Sequence, residues 1–267
     1  MKPTSKHVNL VLSSTGALYP VHAGAACALM DLGYTFKGFS STSGGAIVAT
    51  ALASGISRDR LKRMVIDYNP WRILFKHPSN PFSKGWGIYD NLPIEGIVDR
   101  LGGKMTFEES PVPIHIVTTQ LLPTFREKVL NKETSPELTL SQACRLSSTI
   151  PILFKVASYK GSSLIDGTFT DNLHVQPFRQ DFENTIAITI NIRSVAHPQT
   201  FWQYIKSCLS LILSGQGSWT YVPDNLTLIP IDVYDYITPL KFNLSRRDRI
   251  RLFDTGYNEI LKQLKVD

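Results

Sequence analysis

The chain has 267 residues, 43% of them hydrophobic and 19% charged, with a formal net charge of +6. That length suits one large domain or two small ones with a full apolar core, and the absence of any Arg/Lys-rich run or finger-type Cys/His spacing argues against a nucleic-acid partner. The low charged share leaves two explanations open, a partly apolar surface or a large buried core, while the basic balance favours anionic partners in general.

The first sixty residues alternate strand and helix. Val8–Leu12 reads as a strand closed by Ser13-Ser14-Thr15-Gly16, and His22–Leu32 as a helix stopped by Gly33. Phe36–Ser40 is a second strand, Ala46–Ala53 a helix that Gly55 ends, and Ser57 the N-cap of a third helix. This rhythm predicts a parallel sheet covered by helices. Asn69–Asn91 breaks it with Pro, Gly and aromatic residues, among them Trp71, Phe75, Phe82, Trp86 and Tyr89. The stretch reads either as a surface loop pinned by its aromatics or as a lid or acyl-chain wall.

Leu92–Leu101 is the next helix and Val112–Thr118 a buried strand. A helix through Ala143 and Leu146 ends before Pro151, and Ser162–Ile165 leads to a turn at Asp166-Gly167. The nearly continuous apolar run Ile186–Ile192 marks a central parallel strand. Phe201–Leu213 reads as a helix that either packs in the core or lies in an interface plane. Leu226–Ile231 is a strand and Arg246–Leu264 a closing helix; its stretch Ser245–Arg251 reads as a charged helix face or as a lipid-contact patch.

Cys27, Cys144 and Cys208 are odd in number and far apart, which fits no disulfide framework and suits a reducing, cytoplasmic setting. The N-terminal apolar run is too short for a signal-peptide core, and no stretch is long enough to span a bilayer, so membrane attachment is expected to be peripheral.

The sharpest local feature is Phe39-Ser40-Ser41-Thr42-Ser43-Gly44-Gly45-Ala46. A strand ends and a helix begins within two positions, a turn that lifts Ser43 above the sheet and requires small neighbours. At a helix N-terminus, free N–H groups and the dipole favour the oxyanion formed when an ester is attacked. A small-residue turn without chemistry is the competing explanation. None of His7, His22, His77, His115, His174 and His197 stands in a motif-like setting, so Asp166 is the better base candidate. An aspartate, ordinarily acidic near 3.9, serves only if its surroundings raise its pKa; otherwise Asp166 merely stabilises its turn. Backbone N–H groups of Ser14, Thr15 and Gly16 are placed to meet the same oxygen. The segment lacks both the dinucleotide and the phosphate-loop spacings.

Taken together, these segments resemble the patatin-like phospholipase family, whose order is an oxyanion loop, a Gly-x-Ser-x-Gly elbow, then Asp-Gly-Gly or Asp-Gly-Ala. The elbow falls on Ser41-Thr42-Ser43-Gly44-Gly45, the dyad on Ser43 and Asp166, and the oxyanion donors on Ser14, Thr15, Gly16 and Gly44. His22-Ala23-Gly24, Trp86–Asp90, Ser147–Pro151, Asp171-Asn172-Leu173 and Phe253–Tyr257 also resemble the family. The resemblance implies one domain over residues 1–267, with a three-layer α/β/α sandwich on a mainly parallel sheet. It also implies Ser–Asp hydrolysis of phospholipid or other acyl esters through an acyl-enzyme, without metal or organic cofactor. An acyltransferase on the same dyad and a lipid-binding protein with a silenced site are the alternatives, and a protein activator is compatible with either use. The departures are Ser41 for glycine, expected to crowd the turn slightly; Ser14 and Thr15 for glycines; Leu18 for a basic residue; Tyr19 for a small one; and Thr168 after Asp166-Gly167.

Overall fold

A computed structural model describes residues 2–68, 78–80, 86–192, 199–213, 222–233 and 238–264. Its elements in chain order are β1 (His7–Leu12), α1 (Tyr19–Asp31), β2 (Thr35–Thr42), α2 (Gly44–Ala53), α3 (Arg58–Asp67), β3 (Gly87–Tyr89) and α4 (Pro93–Asp99). There follow β4 (Ile114–Leu122), β5 (Arg126–Leu130), α5 (Leu140–Ser147), β6 (Ile152–Phe154), β7 (Ala157–Tyr159) and β8 (Ser162–Asp166). The chain closes with β9 (Thr185–Ile192), α6 (Phe201–Leu213), β10 (Thr227–Val233) and α7 (Arg246–Leu264).

Local chemistry sets most of the boundaries. α1 starts three residues before the expected His22 because Pro20 sits in its first turn, where a missing N–H costs nothing. Ser57 caps α3, its hydroxyl accepting from the Arg60 N–H over 3.4 Å. Thr139 and Gln142 form a reciprocal capping box at the start of α5.

The central sheet runs β10-β9-β1-β2-β4-β8-β7, with β5 also beside β4. β10, β9, β1, β2 and β4 pair in parallel, as the apolar runs of β1 and β9 predict. β5, β7 and β8 join antiparallel at the far side. The parallel strands all end on one edge, where ligands of open α/β sheets bind. Over the sheet, α1 crosses α7 closely: a Cβ on Gly24 would fall onto the Phe253 carbonyl, and one on Gly256 onto that of Val21.

Two readings gain detail. α6 turns part of its apolar surface outward, Phe201, Tyr204 and Leu211 being 67%, 55% and 53% exposed. In the basic stretch before and within α7, Arg249 turns inward and donates to the Ile66 and Leu244 carbonyls at 2.9 and 2.6 Å. Arg246 stays on the surface and pairs with Asp67. Of the Asn69–Asn91 excursion, 69–77 and 81–85 lie outside the described residues, including Trp71, Phe75 and Phe82; the rest contributes β3, which pairs with β6. Among the described residues no helix is long and apolar enough to cross a membrane.

Candidate active site

β2 passes into α2 through Ser43 alone, whose backbone stands at φ 51 and ψ −122. Such a conformation costs a non-glycine residue on the order of 1–3 kcal/mol and has to be imposed by its surroundings. The two glycines after it show how. A Cβ on Gly45 would lie 2.5 Å from the Ser13 carbonyl oxygen and 2.7 Å from that of Leu12, and one on Gly44 would run into Thr15 and Gly16. Glycine at both positions therefore lets α2 come down onto the end of β1 and the loop after it. Ser41 meets no comparable demand. It is a member of β2, paired with Leu12 and Ile116, and its φ is not left-handed, so no glycine-only backbone is required there.

Ser43 and Asp166 are 123 positions apart in sequence, and the Ser43 Oγ donates to Asp166 Oδ2 over 2.6 Å. Asp166 ends β8 opposite Thr118 of β4, and its N–H donates to the Thr149 carbonyl at 2.9 Å. Its second oxygen, Oδ1, accepts from the Thr168 hydroxyl at 2.6 Å and from the Thr168 N–H at 3.0 Å. Both Ser43 and Asp166 are fully buried. Burial dominates the acidity of Asp166 and pushes its pKa from 3.8 up to about 6, while the hydrogen bonds from Ser43 and Thr168 pull it back down.

In the loop after β1, Gly16 alone is left-handed, at φ 52, and Thr15 sits at φ −144. Neither Ser14 nor Thr15 has a positive φ, so the left-handed backbone that favours glycine is not required of them. Three clamps hold the loop. His22 donates from Nε2 to the Ser13 carbonyl at 2.9 Å, Asn172 Oδ1 accepts from the Ser14 N–H at 3.0 Å, and the Ala17 N–H donates to the Pro239 carbonyl at 2.8 Å. Burial pushes the His22 pKa down to about 4, and the carbonyl partner places its proton on Nε2. The Ser14 amide is therefore engaged by Asn172, which removes it from the expected oxyanion donors. For Thr15, Gly16 and Gly44 the described residues supply no acceptor to the N–H.

Sequence reasoning gave no role to Ser147, Thr168, Asn172 or His22. Ser147 Oγ accepts from the Ser43 N–H at 2.8 Å and donates to the Val117 carbonyl at 2.6 Å, tying the elbow to β4. The available signal was position: Ser147, Asn172 and His22 lie within the short segments that resemble the family, and Thr168 directly follows Asp166-Gly167 as a departure from it. Leu18 and Tyr19, the other departures, are buried in the apolar core. Beside the site, Glu127, Asp171 and His174 offer oxygen and nitrogen atoms within 4.8 Å of one another, a set able to hold a cation. His174 Nδ1 lies 2.9 Å from Asp171 Oδ2.

A strained serine at the end of the parallel strand β2, with a buried carboxylate from the end of the antiparallel β8 on its hydroxyl, defines an α/β protein with a nucleophile-elbow geometry. Residues 10–179 match the patatin-like phospholipase family, and the chain belongs to that family, whose general activity is lipid acyl hydrolysis. The chain is 25% identical over 248 residues to the uncharacterized protein R571 of Acanthamoeba polyphaga mimivirus, covering 85% of this chain and 82% of that one. In fold it is similar to VipD from Legionella pneumophila, with a TM-score of 0.64 and 15% identity over 97% of this chain and 67% of that one. It is also similar to ExoU, solved as a heterodimeric complex with SpcU from the type III secretion system of Pseudomonas aeruginosa. There the TM-score is 0.51 at 16% identity over 99% of this chain; the chain spans 52% of the ExoU chain.

Proposed function

We propose that the protein is a serine-dependent lipid acyl hydrolase of the phospholipase A, lysophospholipase or carboxylesterase type, acting through a Ser43–Asp166 dyad. The observation that carries this is the 2.6 Å hydrogen bond from the Ser43 hydroxyl to a buried carboxylate whose pKa is raised to about 6. A base with that acidity is ionised at neutral pH yet still able to take a proton.

Asp166 accepts the hydroxyl proton as Ser43 Oγ bonds to the ester carbonyl carbon, and the carbonyl π pair moves onto oxygen. The resulting oxyanion meets the N–H groups of Thr15, Gly16 and Gly44 at the N-terminus of α2. Collapse breaks the bond to the alcohol oxygen, which leaves with the proton held by Asp166, and the acyl group stays on Ser43. Water, giving its proton to Asp166, then attacks that ester; the second collapse returns the proton to Ser43 and releases the fatty acid. The lipid substrate brings the enzyme to a membrane surface as a peripheral protein.

The test is fatty-acid release from mixed phospholipid vesicles and from a short-chain soluble ester, for the native protein, Ser43→Ala and Asp166→Asn. Loss of at least a thousandfold in both folded variants is expected for a nucleophile and its base, on the order seen for such residues. Activity that persists in Ser43→Ala overturns the mechanism, and transfer to an added alcohol exceeding hydrolysis reassigns the enzyme as an acyltransferase.

A further inference from the structure

α6 presents an apolar stripe outward. Phe201, Tyr204 and Leu211, all more than half exposed, fall with Cys208 inside about 80° of arc on a helix turning 100° per residue. Among the described side chains of α6 the buried one is Ser210, on another flank, whose hydroxyl finds no partner there. A helix whose exposed face needs only water carries polar residues there, so large apolar side chains on that face call for a partner. α6 lies beside the turn Gly167–Phe169, which directly follows Asp166.

A second apolar feature projects from the same edge of the sheet. β4 continues past Thr118, the partner of Asp166, to a hairpin tip where Leu122 and Phe125 are 58% and 63% exposed. Neither the α6 sequence FWQYIKSCLSLIL nor the tip Gln120–Arg126 contains an acidic residue; α6 carries Lys206, and the tip ends in the exposed Arg126. Thirteen residues make a helix of about 20 Å, too short to cross a bilayer and suited to lying in its surface.

We propose that α6 and the β4–β5 tip form the surface that docks on an anionic phospholipid bilayer, with the outward stripe of α6 immersed among the acyl chains and headgroups. The occupant follows from chemistry on both sides: apolar side chains free of acids, a net charge of +6, and membership of a family that acts on lipids. The inference rests on the proposed hydrolase for its purpose, and its test does not depend on turnover.

Cys27 and Cys144 are buried and Cys208 is half-exposed at the centre of the stripe, so an environment-sensitive fluorophore attached to Cys208 in the Ser43→Ala protein reports on α6. Mixing with vesicles of phosphatidylcholine and phosphatidylglycerol is expected to raise and blue-shift its emission, and nitroxide-labelled acyl chains to quench it. Phe201→Glu and Leu211→Glu each reduce vesicle binding at least tenfold, as expected for placing a charge where an apolar side chain was immersed. Both variants keep the native circular-dichroism spectrum and thermal midpoint, which shows an intact fold. Unchanged emission, equal binding to purely neutral vesicles, or undiminished binding of both glutamate variants overturns the assignment. Failure of the hydrolase reading appears separately, as a soluble-ester rate that Ser43→Ala does not reduce.

Discussion

Replacing Thr168 by valine removes one hydroxyl and conserves shape, and the structure fixes what that does to Asp166. The lost bond is an O–H donor at 2.6 Å from Oδ1, while the Thr168 N–H at 3.0 Å remains. A hydrogen bond to a charged acceptor is worth about 1.5–3 kcal/mol, and one pKa unit corresponds to about 1.4 kcal/mol. The hydroxyl favours the carboxylate over the neutral acid, so losing it raises the pKa, by about one to two units. The native value of about 6 leaves Asp166 about nine-tenths ionised at pH 7; the variant is about half ionised or less. The assay is kcat/KM on the soluble short-chain ester from pH 4.5 to 9.5. The native rate is expected to rise through an inflection near 6, the Thr168→Val inflection to move to about 7 or above with a near-native plateau at high pH, and Thr168→Ser to keep the native profile. Superimposable native and valine profiles, or an inflection that moves down, refute the reasoning.

Asp166→Asn should be inactive yet more stable than the native protein above pH 6. The folded pKa lies above the ordinary 3.8, so the folded state holds the proton more tightly and loses stability as pH rises from about 4 through 6. Asparagine carries no such loss, a gain of at most about 3 kcal/mol at pH 8 that vanishes at pH 3.5; thermal melts with the same offset at both pH values contradict it. Ser147→Ala leaves the buried Ser43 N–H without its acceptor and frees the elbow from Val117. Losing such a bond costs about 1–3 kcal/mol, so kcat on the soluble ester should fall about tenfold to a hundredfold with KM nearly unchanged, and a rise in KM alone counts against a positioning role.

Much of this molecule was legible along the chain. The strand-to-helix turn at Ser43 was, because only small residues fit where α2 meets β1 and glycines mark the place. The helices over 201–213 and 246–264 were, because a dozen or more residues carry a full helical period. β6 and β7, three residues each, and β5, five, are too short for any period to show. What only the tertiary structure decided concerns partners far apart in sequence. That Ser43 lies 2.6 Å from Asp166, that Asn172 takes the Ser14 amide and that Ser147 holds the elbow depend on segments 104 to 158 positions apart being folded together, whereas Thr168 acts on Asp166 from two residues away. Sequence left α6 open between core and interface, and set Arg249 in an outward charged stretch. Periodicity reports which residues share a face, but the direction that face points is set by the surfaces packed against it.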